Sequence, residues 1–145
     1  LSTAFPEVRL KSFLEMRGAD GGPWGRICAL PALWVGLLYD QGALDAAWDL
    51  VKDWSMEDRQ ILRDSVPRLG LDAPVGKGRT LRDIARPALD IARSGLAARA
   101  RLNTAGDNDT GYLSDLEEVV SSAKTHAERL LDRHPGAWGR DFSKV

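Results

Sequence analysis

The 145-residue chain carries 20 Lys plus Arg against 21 Asp plus Glu, a formal net charge of -1, so no general field draws it to nucleic acid or an anionic membrane. Its single cysteine, Cys28, excludes an internal disulfide and leaves no thiol pair for redox chemistry or a metal, which makes the cytoplasm the natural expectation. The longest apolar run, residues 27–39, is interrupted by Pro31 and too short to span a bilayer.

Residues 7–17, EVRLKSFLEMR, alternate with a period of two. The odd positions hold Glu7, Arg9, Lys11, Phe13, Glu15 and Arg17; the even ones hold Val8, Leu10, Ser12, Leu14 and Met16. Because successive side chains on a strand point to opposite faces, the pattern predicts one long strand with a charged side and an apolar side. Two uses fit such a row of charges: a solvated sheet face braced by cross-strand ion pairs, or a platform for a polyanion and its metal. Pro6 is expected to fix the entry to the strand, where a missing backbone donor is tolerated. The length suits one domain, yet the chain opens at Leu1, runs straight into this strand and shows no second one. A sheet needs partners, so residues 1–145 read as the C-terminal segment of a longer protein whose partner strands lie upstream.

Residues 18–23, GADGGP, read as a hinge with Pro23 placed for the first turn of a helix. Residues 24–39 form that helix, kinked at Pro31, apolar all round its second half and therefore buried at the centre. An amphipathic helix over 42–54 follows, with Leu44, Ala47, Trp48, Val51 and Trp54 on one stripe; the tryptophans of both helices read as core anchors. Ser55 and Asp58 form a capping box for a helix over 56–65 that stops before Pro67. In the loop 70–78, VGKGRT lacks the spacing of a phosphate-binding loop. Thr80 and Asp83 open the longest helix, 81 to about 102, kinked at Pro87, with Leu81, Ile84, Ala85, Ala88, Ile91 and Ala92 inward. Its arginines are interleaved with Asp83 and Asp90 and read as a solvated face. Residues 103–111, NTAGDNDTG, are the clearest mobile loop. Ser114 with Glu117, and Thr125 with Glu128, cap two short helices that end near 121 and 133. The helical region thus spans 23–134, and an irregular tail, 135–145, packs back through Trp138 and Phe142.

No Ser-His-Asp or Cys-His set can be assembled, since Cys28 sits in an apolar helix and His126 and His134 lie at the far end without a third ligand. The charged row remains. Phosphoryl transfer from ATP needs carboxylates to hold magnesium and guanidinium groups to neutralise phosphate oxygens. Glu15 and Arg17, about 6–7 Å apart along one strand, meet both needs from a rigid support.

At these residues the chain resembles glutamate-cysteine ligases of the plant and proteobacterial type, members of the glutamine synthetase-like carboxylate-amine ligases. The resemblance rests on FPEVRLKSFLEMRGADGGPW (5–24) and CALPALWVGLLYD (28–40), and continues more loosely through DLVKDW, VPRLGL, AERLL and GAWG. It implies an α+β parent with an antiparallel sheet and helices, of which this is the mainly α-helical C-terminal portion, led by one long strand with the helices packed on its apolar side. It further implies ligation of the γ-carboxylate of L-glutamate to the amine of L-cysteine through a γ-glutamyl phosphate, with ATP as substrate and Mg2+ as cofactor, the first step of glutathione synthesis. The family's E-x-R pattern matches LEMR, which puts Glu15 at the metal and Arg17 at the phosphate or glutamate as a catalytic and binding residue. Arg9 is similar in placement to a second active-site arginine that binds substrate or ATP. The segment alone is expected to be inactive, its other ligands lying in the upstream part of the polypeptide. Two rivals stay open: a related γ-glutamyl ligase with another amine acceptor, and a non-catalytic helical interaction module whose charged strand docks on a partner.

Overall fold

The computed structural model describes residues 7–19, 21–136, 139 and 141. The expectations for Pro6, Trp138 and Phe142 fall outside these residues.

Where one long strand was expected, there are two: β1 (Val8–Leu10) and β2 (Leu14–Met16), paired antiparallel with Val8 opposite Met16, Arg9 opposite Glu15 and Leu10 opposite Leu14. The chain reverses about Ser12, and Lys11 N donates to Phe13 O at 2.8 Å. Residues equally far from Ser12 face each other, so odd meets odd and even meets even. The period-two pattern therefore runs through the reversal unbroken, and Lys-Ser-Phe carries none of the Gly or Asn signals that mark a hairpin. A second correction concerns the apolar side. Val8, Leu10 and Leu14 are 45%, 78% and 56% exposed, so the helices do not cover it.

The rest of the described chain is mainly helical: α1 (Trp24–Leu38), α2 (Gln41–Val51), α3 (Met56–Leu69), α4 (Leu81–Arg99), α5 (Ser114–Ser122) and α6 (His126–Arg133). The body is built on α1 against α4, flanked by α2 and α5 and closed by a 3-10 turn, Asp109–Leu113. Its core holds Ala32, Leu89, Ala92, Leu96, Leu113 and Val120. The central place of α1 matches expectation, but the residues it buries are Ala29, Ala32 and Gly36. The backbones explain this choice. A Cβ on Gly95 would fall on the Gly36 carbonyl oxygen, and one on Gly36 would fall on the Ala92 carbonyl. Helices this close leave no depth for large side chains at the crossing, so those of α1 spread to the sides and stay half-buried. The tryptophans are corrected accordingly: Trp24 and Trp48 are 77% and 61% exposed, whereas Trp34 and Trp54 are half-buried.

Three of the four expected caps form. Ser55 N donates to Asp58 Oδ2 at 3.0 Å and Asp58 N to Ser55 Oγ at 3.1 Å; Asp83 Oδ2 accepts from Thr80 N and Oγ1; Thr125 and Glu128 repeat the reciprocal pair. Ser114 is not a cap, because the 3-10 turn runs straight into α5 and leaves it already helical, with Leu113 at the cap position. Four ends also move. Helix α2 starts at Gln41 because the Asp40 carboxylate accepts from Ala43 N at 2.9 Å, and it stops at Val51, leaving Trp54 beyond it. Helix α3 continues past Pro67 to Leu69, since a proline in the last turn forfeits one ladder bond without ending the helix. Helix α4 stops at Arg99, where Ala100 turns left-handed. The loop 103–111 is a hydrogen-bonded turn: Asn103 Oδ1 accepts from Ala105 N and Asp107 N, and Leu102 bridges Asn108. Among the α4 arginines, Arg82 pairs with Asp72 at 3.1 Å and Arg93 Nε donates to Glu117 at 2.9 Å.

Candidate functional site

Antiparallel partners place their side chains on the same side of a hairpin. Arg9 opposite Glu15 therefore puts a guanidinium beside a carboxylate, and Arg9 Nε donates to Glu15 Oε2 at 2.6 Å. Arg17 N donates to Glu7 O at 2.8 Å, which carries the pairing one step further and brings Arg17 and Glu7 onto the same side. Lys11 Nζ lies 4.0 Å from Glu15 Oε2 and 5.6 Å from the centroid of the Phe13 ring. The reversal at Ser12 thus gathers Arg9, Lys11, Glu15 and Arg17 into one patch where a continuous strand would have strung them out.

The electrostatics follow from this gathering. The hydrogen bond from Arg9 holds the Glu15 carboxyl below its ordinary range, partial burial pushes the other way, and the charges of Arg9, Lys11 and Arg17 add to the lowering. Glu15 is ionised at neutral pH with a surplus of cations around it, an arrangement suited to phosphate or carboxylate oxygens. Arg9 and Glu15 have side chains 42% and 32% exposed, so the patch is an open face. Glu7 turns toward α3, its Oε1 3.7 Å from Arg63 Nε. Nothing in the local sequence signals that contact, which depends on how the hairpin lies against the helices.

A magnesium ion takes six oxygen ligands. Both the Arg9 and Lys11 contacts fall on Glu15 Oε2, and among the described residues no group of three His, Cys, Asp or Glu could hold a metal. Glu15 offers a single carboxylate to such an ion, and the described residues bring no two further His, Cys, Asp or Glu side chains beside it. Among the described residues no single helix is long and apolar enough to cross a membrane.

The family model described as Glutamate-cysteine ligase family 2 (GCS2) matches residues 1–144. The chain belongs to this family. It is 47% identical over 145 residues to the chloroplastic glutamate-cysteine ligase of Solanum lycopersicum, and 48% identical to those of Nicotiana tabacum and Arabidopsis thaliana. Each comparison covers the whole chain but only 26% of the relative, so this GCS2 chain spans about a quarter of their length. These relatives are chloroplastic, which overturns the expectation of a cytoplasmic protein. One cysteine reports on disulfide pairing, and that does not separate one reducing compartment from another.

Proposed function

We propose that this chain is the C-terminal segment of an ATP-dependent glutamate-cysteine ligase, and that the odd-numbered side of its hairpin forms part of the phosphoryl-transfer site. What supports the reading is the coincidence of the family match over residues 1–144 with the gathering of Arg9, Glu15 and Arg17 on one open face. In the parent, an α+β protein, the hairpin joins an antiparallel sheet completed by upstream strands.

A γ-carboxylate oxygen of L-glutamate attacks the γ-phosphorus of ATP, the bond to ADP breaks, and a γ-glutamyl phosphate forms. The amine of L-cysteine then attacks the acyl carbon, loses a proton and expels phosphate. During the first step, negative charge accumulates on the oxygens around phosphorus, and a fixed guanidinium stabilises it without having to reorganise. Arg17 takes this role at the phosphate or the glutamate. Arg9, locked in place by Glu15, offers its remaining N–H groups to the substrate or ATP. When bound, magnesium would neutralise phosphate oxygens, with Glu15 as one ligand and the others drawn from outside the segment.

In the full-length protein, Arg17→Ala is expected to lower turnover by about 10²–10³-fold, the usual cost of one transition-state donor, with assembly unchanged. Normal turnover with altered assembly would replace this reading with a docking module. Mixed with ATP, magnesium, glutamate and cysteine, the segment alone should release no phosphate; release at an enzymatic rate would show that the site lies wholly within it. Comparing amine acceptors with the full-length protein tests the choice of cysteine.

A further inference from the structure

A second concave site lies away from the hairpin. Between α1, α4 and the turn at 109–113 is a cavity of about 270 Å3, and none of its lining belongs to residues 7–17. Its walls include Val35, Leu96, Tyr112 and the thiol-bearing Cys28, with two charges, Arg99 and Asp109, set among them. Arg99 lies over the Tyr39 ring, its Cζ 5.5 Å from the centroid. Among the described residues neither Arg99 nor Asp109 takes part in an ion pair, with the other or elsewhere.

Opposite charges lining one small cavity close on each other when the geometry allows, because a guanidinium-carboxylate contact is among the strongest available. Unpaired with each other, they give the lining one cation and one carboxylate, a match for the carboxylate and the ammonium of a zwitterion. The apolar residues of the same lining accept a short hydrocarbon side chain. A volume of about 270 Å3 suits a ligand the size of a small amino acid. We propose that this cavity binds a free α-amino acid with a compact apolar side chain: carboxylate on Arg99, ammonium on Asp109, side chain against Val35, Leu96 and Tyr112.

The test uses the full-length protein and three probes: L-leucine, isocaproate, which lacks the amine, and isoamylamine, which lacks the carboxylate. Binding is measured by calorimetry, and alkylation of Cys28 by iodoacetamide is followed by mass spectrometry of its peptide. Leucine is expected to bind and to slow alkylation of Cys28. Each analogue should bind about 10- to 100-fold more weakly, the factor that corresponds to a lost charged hydrogen bond. Arg99→Gln and Asp109→Asn should each reproduce that loss, and Arg99→Lys should recover part of it, which separates lost recognition from misfolding. No binding of leucine, equal binding of all three probes, or leucine binding that ignores both Cys28 and Arg99→Gln would each overturn the proposal.

Discussion

The α1–α4 crossing and the β1–β2 hairpin meet their surroundings in opposite ways. At the crossing, Gly36, Ala92 and Gly95 bring two backbones into contact, and Leu96 and Leu113 fill the space beside them with almost no exposure. In the hairpin, the even side shows Val8, Leu10 and Leu14 to solvent, while on the odd side Arg9 and Glu15 bond to each other and leave a surplus of cations. A two-stranded hairpin is marginal in water without further strands or a covering layer. Among the described residues the body covers its own core, whereas the hairpin leaves its apolar side open. Under the proposed function, this open surface is where substrate and upstream strands would meet the chain.

The comparison breaks if the body tolerates truncation or the hairpin does not. The largest effect should come from Leu96→Ala, which removes a side chain 1% exposed and is expected to cost about 2–5 kcal/mol in denaturant unfolding. Gly95→Ala comes next, at about 1–3 kcal/mol, because the added methyl meets a carbonyl that can move only with its helix. Thr125→Ala, which removes the hydroxyl accepting from Glu128 N, should cost about 1 kcal/mol. Leu10→Ser sharpens the contrast. In the 145-residue chain it should stay within about 0.5 kcal/mol, as exposed changes do, whereas in the full-length protein it should cost clearly more. Equal costs in both would mean that the hairpin's apolar side stays uncovered in the parent.

How much of this was legible depended on whether the signal was local. The capping pairs at 55/58, 80/83 and 125/128 were readable because the interaction spans three residues and needs no tertiary partner. The charged and apolar sides of residues 7–17 were readable for the same reason. The reversal was not, since a turn centred on Ser12 preserves the alternation that announced a strand. The tryptophans misled because hydrophobicity forecasts burial only where there is depth, and the glycine crossing removes it; no pattern in α1 alone reveals that Gly36 faces Gly95, far along the chain in α4. At the candidate site, the charged row already singled out Glu15 and Arg17 and family resemblance supplied their separate roles, whereas the bond between Arg9 and Glu15 required the fold.

The smallest expected effect tests the odd side most directly. Glu15 sits below its ordinary range chiefly because Arg9 donates to it, and Lys11 and Arg17 contribute through space. A carboxyl lowered on folding stabilises the folded state above its unfolded-state value, and that contribution is lost as pH falls through the lowered folded value. Between pH 6 and 8 the pair's contribution should therefore be constant, fading only in the acid range where Glu15 takes up its proton. Carboxyl-carbon NMR of Glu15 should show Arg9→Gln raising its titration only part of the way back, because Lys11 and Arg17 remain. Salt should shrink the through-space share first, since exposed charges are screened over about 10 Å at 0.1 M. An unmoved titration in Arg9→Gln would mean that the 2.6 Å contact is not held in solution, and the patch would then be a row of independent solvated charges.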